Sequence, residues 1–209
     1  MIENLNRMND YYFKYLMGRE KNKTLALDFI NAVLANEEKY FTDIIYVDKD
    51  EDPEHLGDKQ SCLDVKGMLN DGSIIEVEMQ ALNDKDMSER SLYYWARMYG
   101  KNIKAGEQYE ELKPAICVNV LGFKHLEELN WRNEYRVLNI DSNRQLSNHL
   151  QIVFLELPKL ETKDIKSMSR LDLWGAYFSR KLSDDDLKGV KIMAEALKAE
   201  YEFTAEDLL

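Results

Sequence analysis

The stretch "LDVKGMLNDGSIIEVEMQ", Leu63 to Gln80, decides the fold. Two β-prone runs flank "NDG", which reads as a hairpin turn. Asp64 interrupts the first run, and Glu76, Glu78 and Gln80 interrupt the second. Register determines whether these groups meet. A two-residue turn at Asp71-Gly72 would set Asp64 opposite Met79 and send Asp64 and Glu78 to opposite faces. A three-residue loop, Asn70-Asp71-Gly72, suits a type I turn followed by a left-handed glycine. It sets Leu69 opposite Ser73, Lys66 opposite Glu76 and Asp64 opposite Glu78. Asp64, Lys66, Glu76, Glu78 and Gln80 then share one face, while Val65, Ile75, Val77 and Met79 fill the other. The clean apolar alternation favours this register, because a one-residue slip reverses every side chain.

Opposed residues in such a pair hold their Cβ atoms roughly 5 Å apart, and like charges there repel. A hard divalent cation would remove the conflict. Two carboxylates with waters and a substrate phosphate are a usual ligand set for magnesium. The plain alternative is a solvated polar face, with Lys66 and Glu76 as an ordinary cross-strand ion pair. The hairpin alone leaves both readings open.

The rest of the chain sets bounds. Its 209 residues are 44% hydrophobic and 11% aromatic, enough for one sizeable core. The net charge of -11 repels polyanions, so any DNA-binding reading needs a local basic stripe. Cys62 and Cys117 stand far apart in strand-like runs and read as small buried hydrophobes, with no disulfide or zinc spacing. His55, His125 and His149 show no ligand or triad spacing. The start of the chain carries no secretory apolar region, and no apolar run is long enough for a bilayer. A soluble cytoplasmic protein without membrane contact is expected.

Asn9 or Asp10 caps a first helix, "YYFKYLMG", and a second follows over "TLALDFINAVLANEEKY". "FTDIIYV" reads as a short strand and "DKDEDPEHLGDKQ" as a charged loop. After the hairpin, a long helix is expected from about Asp84 to Gly106. "KPAICVNVLGF" reads as a buried strand, and "EYRVLNID" and "HLQIVFLEL" as two more. Residues 165–209 read as mostly helical, with an acidic break at "SDDD". The pattern is α/β, a mixed central sheet flanked by helices.

Asp64 followed by Glu78-Met79-Gln80 resembles the PD-(D/E)XK nuclease signature with Gln in place of Lys. Four ordered segments carry a closer likeness: "NDYYFKYLMG", "DKQSCLDVKGMLNDGSIIEVEMQ", "ERSLYYWARMYGKNIKAGEQYEELKPAICVNVLGF" and "HLQIVFLELPK". Together they resemble the Rpn family of recombination-promoting nucleases, also described as PD-(D/E)XK nuclease family transposases. The resemblance spans roughly residues 9 to 160. It implies a restriction-endonuclease-like core over 1–160 and a helical C-terminal extension over 161–209. Members often run longer, which makes this chain a short member or a fragment.

The resemblance also implies metal-dependent DNA cleavage, with Mg2+ or Mn2+ held by Asp64 and Glu78. Gln80 takes the position that usually carries a lysine, which polarises water or stabilises charge in the transition state. The Rpn pattern itself carries this Gln. Lys66, on the same face, would supply the missing charge. Asp10 is either a third carboxylate or part of a helix cap. Glu76 faces the same way as Glu78, and the family likeness selects Glu78.

On the long helix, Arg90, Tyr94, Arg97, Lys101 and Lys104 recur at spacings of three and four and form one stripe. Arg90, Tyr94, Arg97 and Lys101 are candidates for DNA contacts, against the plain alternative of a solvated face. Leu92, Trp95, Ala96, Tyr99 and Ile103 form the apolar stripe expected to pack on the sheet. The expected function is a magnesium-dependent DNA endonuclease linked to recombination or mobile elements, and double-strand cutting would call for a homodimer. The competing reading is an inactive or partner-activated nuclease fold that acts through protein contacts. Glycoside hydrolysis fits poorly, because its carboxylates flank the bond from separate elements.

Overall fold

The computed structural model describes residues 5–34, 40–47, 65–204 and 207. Asp64, Cys62, His55 and the whole of the charged loop lie outside them. Helix α1 (Asp10–Met17) starts at Asn9, whose side chain accepts from the Tyr12 N–H at 3.2 Å. Asn9 is therefore the cap, and Asp10 is the exposed first residue of the helix. Helix α2 (Lys23–Leu34) and strands β1 (Ile44–Tyr46), β2 (Val65–Leu69) and β3 (Ile74–Gln80) follow.

The hairpin has the expected register: Val65 pairs with Val77, Lys66 with Glu76 and Gly67 with Ile75. Its three-residue loop closes through Gly72 N–H to Leu69 O and Leu69 N–H to Ser73 O, both at 2.8 Å. Gly72 has φ +85°, a conformation that costs glycine little. The Asp71 carboxylate accepts from the Ser73 N–H at 2.9 Å and fixes the turn.

Helix α3 (Met87–Gly100) then leads into β4 (Ala115–Leu121), which lies parallel to β3. Strands β5 (Arg132–Tyr135) and β6 (Leu150–Glu156) complete one six-stranded mixed sheet in the order β1-β2-β3-β4-β6-β5. Every residue of β4 is buried, as a central parallel strand covered on both faces must be. Helices α4 (Arg170–Ser179), α5 (Asp184–Lys188) and α6 (Lys191–Glu202) follow β6.

The pleat sends alternate residues to two cores. Ile75, Val77, Met79, Ile116, Val118, Val120, Val153 and Leu155 pack with Tyr12, Phe13, Phe29, Trp174, Tyr177 and Phe178 from α1, α2 and α4. Ala115, Cys117, Leu121, Ile152 and Phe154 pack with Met87 and Met98 of α3. Arg7, fully buried, ties the two ends of the first core together. It pairs with Asp184 at 2.6 Å and Glu200 at 2.7 Å, and its guanidinium lies 4.2 Å from the Tyr177 ring centroid.

Four expectations need correction. The long helix stops at Gly100, so Ile103 and Lys104 are not on it; Gly106 instead turns a following loop at φ +96°. Its buried ridge is Met87, Ser91 and Met98, with Trp95 and Tyr99 beside it, while Leu92 (52% exposed) and Ala96 face out. Ser91 displaces Leu92 from the interface because its hydroxyl bonds Met87 O at 2.6 Å and Asn119 Oδ1 at 3.0 Å. The strand read as "EYRVLNID" begins earlier, at Arg132, and "VLNI" continues into an exposed arm closed by Leu146 N–H to Val137 O. The acids of "SDDD" do not break a helix. Ser183 caps α5 and they fill its first turn, where the helix dipole favours negative charge.

Candidate active site

Glu76, Glu78 and Gln80 alternate on β3 with core residues Ile75, Val77 and Met79, so they point to the α3 side of the sheet. Glu78 lies deepest at 6% exposed, whereas Glu76 and Gln80 are half-buried. A buried carboxylate needs a counter-charge. Arg90, in the first turn of α3, supplies it through an Nη2 contact to Glu78 Oε1. The other arm of the same guanidinium, Nη1, donates to Asp84 Oδ2 at 3.1 Å. Asp84 also accepts the Asp86 N–H at 3.1 Å, which folds the loop between β3 and α3. The Arg90 guanidinium stands 5.6 Å from the Tyr94 ring centroid.

Asn119 sits beside Glu78 on β4, in register and buried. It accepts from Ser91 Oγ and donates to Val153 O at 3.3 Å. This polar link fixes α3, and with it Arg90, against the sheet beside Glu78. Farther along, Gln80, Leu121 and Glu156 lie in register near the carboxyl ends of three parallel strands, where open α/β sheets generally place their ligands. The Gln80 amide donates to Leu82 O at 3.2 Å. Glu156 is fully buried. It accepts the His125 and Leu126 N–H groups at 2.5 and 3.0 Å and Lys159 Nζ at 2.7 Å. That carboxylate is a brace for the loop after β4, and the His125 ring adds a 2.9 Å bond to Ser88 Oγ on α3.

The structure thus brings Glu78, Arg90 and Tyr94 together. Arg97 is half-buried on the same shoulder of α3, and Lys101 is the exposed residue that ends the helix. Lys66 is the cross-strand partner of Glu76, and both are half-buried. Asp10 lies two residues after Met8, whose side chain packs against Gly122 just past β4. Sequence reasoning missed Asp84, Asn119, Glu156 and Lys159. Asn119 is the strongest signal it passed over, as the one amide inside the apolar run "AICVNVL".

A family model described as PD-(D/E)XK nuclease family transposase matches residues 7–204. The chain belongs to this family. No curated protein and no solved structure matches it. The mixed six-stranded sheet with helices on both faces agrees with a PD-(D/E)XK nuclease-like fold, and the family supports a nuclease or transposase-like role. No helix among the described residues is long and apolar enough to cross a membrane.

Nucleases of this class typically use divalent metals. Among the described residues no group of three His, Cys, Asp or Glu side chains could hold one. The donor chemistry nevertheless fits. Glu78 is a buried carboxylate on the α3 face of β3, and hard divalent ions take oxygen ligands of that kind.

Proposed function

We propose that this protein is a metal-dependent DNA endonuclease that hydrolyses phosphodiester bonds and serves recombination or a mobile element. The observation that carries the reading is the buried Glu78 carboxylate. It sits on the α3 face of β3, beside a helix shoulder bearing Arg90, Tyr94 and Arg97. Asp64 precedes Val65 in the chain, and Val65 pairs with Val77, the neighbour of Glu78. Asp64 and Glu78 are the proposed ligands of Mg2+ or Mn2+. When bound, the ion supplies activation of water and neutralisation of developing charge.

Gln80 orients the attacking water with its amide, without adding charge. Arg90, Tyr94, Arg97 and Lys101 bind the DNA backbone, the arginines as forked phosphate donors. Double-strand cutting by one site per chain would need a homodimer. The setting is cytoplasmic.

A second reading is an inactive or partner-activated member that works through protein contacts. The net charge of -11 and the Gln at position 80 favour it. Supercoiled and linear DNA incubated with the protein in Mg2+ or Mn2+, beside Glu78→Ala and Asp64→Asn, separates the two. Nicking or linearisation that both variants and a chelator abolish supports the nuclease. Intact DNA with the wild-type protein transfers the weight to the second reading.

A further inference from the structure

We propose that Arg90 is the resident counter-charge of Glu78 and yields that carboxylate when a divalent cation enters. Metal binding and guanidinium release are then one exchange. The inference rests on the nuclease reading above and adds a control step to it.

The geometry gives Arg90 two carboxylates of unequal depth. The Glu78 side chain is 8% exposed and that of Asp84 33%, with Arg90 between them at 25%. A buried carboxylate stripped of a cation it pairs with is strongly disfavoured, so an incoming divalent ion is a favourable replacement for Arg90 at Glu78. A divalent ion and a guanidinium repel each other when they compete for one carboxylate. The exchange resolves that competition because the Nη1 arm is already on Asp84 at 3.1 Å. A released Arg90 stays tethered at the more exposed carboxylate, beside Tyr94. There its forked donors suit a phosphate, which links metal occupancy to backbone binding. Such coupling is reciprocal: the phosphate that draws Arg90 away also strengthens metal binding.

The test is calorimetric titration of Mn2+ into the full chain at neutral pH, comparing wild type, Arg90→Gln, Arg90→Lys and Lys85→Gln. Lys85 is an exposed cation next to Asp84 in sequence and controls for general electrostatics. Arg90→Gln is expected to lower the Mn2+ Kd about tenfold. Arg90→Lys should give a smaller gain, since an ammonium makes a point contact in place of a fork. Lys85→Gln should change it by less than about twofold, because exposed charge is screened. If Arg90→Gln does not fold, Arg90→Lys carries the comparison. Mn2+ binding that is equal or weaker in the Arg90 variants, with the wild type still binding, overturns this inference alone. No Mn2+ binding by any of the four proteins overturns the metal reading and this inference together.

Discussion

Arg7 and Glu200 meet at 2.7 Å inside the protein although they lie 193 positions apart in sequence. The Arg7 side chain has no solvent exposure, and it also donates to the Tyr177 carbonyl at 3.2 Å and to Asp184. Tyr177 in turn shares a short hydroxyl contact with Tyr12. One guanidinium therefore joins the segment before α1 to α4, α5 and α6. Burial works against its charge, but the surrounding Tyr177, Asp184 and Glu200 more than compensate and hold its pKa above the ordinary arginine value.

Arg7→Ala would remove one of the two cations on Glu200, leaving Arg180 at 2.9 Å, and would remove the Tyr177 contact. The expected loss is about 2–3 kcal/mol of unfolding free energy. Urea denaturation followed by circular dichroism measures it. A loss under about 1 kcal/mol would show that the network is incidental to stability.

Gly122 admits no side chain where it stands. A Cβ there would lie 2.3 Å from the Met8 methyl and 2.9 Å from Ala81 O. Gly122→Ala should cost about 1–3 kcal/mol and shift the loops at the strand ends. The thermal midpoint should fall by several degrees, and an unchanged midpoint would mean that both Met8 and the Ala81 backbone move aside freely.

Asn119→Ala removes the partner of Ser91 Oγ and of the Val153 carbonyl in a buried setting. A loss of about 1–3 kcal/mol is expected. Hydrogen exchange should report loosening concentrated in α3 over the sheet, since that is the contact being cut. Uniform loosening of the whole protein would contradict the local role.

Glu134 couples stability to acid. Burial pushes its pKa up, but Arg132 and Arg136 outweigh this and leave it below the ordinary glutamate value of 4.5. The folded value is depressed, so the contribution is complete above pH 4.5 and vanishes as pH falls through the folded value. Glu134→Gln should therefore flatten the acid side of the stability curve. An unchanged acid slope would remove Glu134 from the account.

The hairpin was legible because its apolar alternation favours the three-residue "NDG" loop over the two-residue turn, and that register is present through Lys66 and Glu76. The central strand was legible from "AICVNVL". The face of α3 was not. Periodicity weighs Leu92 above Ser91, whereas the interface keeps the residue whose hydroxyl answers the buried Asn119. The Arg90 contact was equally hidden. Its spacing marked a basic stripe, but only the folded loop through Asp84 shows that this arginine lies on Glu78. The C-terminal helices read as an extension, and their Trp174, Tyr177 and Phe178 lie in the same core as β3 and β4.

The Arg7 clasp has a consequence for synthesis on the ribosome. At about 5–20 residues per second, roughly 10–40 s separate translation of Arg7 from that of Glu200. Through that interval Tyr12 and Tyr15 lack Phe203, and for all but roughly its last 1–5 s the nascent sheet lacks Trp174 and Tyr177 over one face. The growing chain thus carries an uncovered apolar surface until its final helices emerge. Chaperone dependence during expression should track completion of α6 more closely than completion of the sheet.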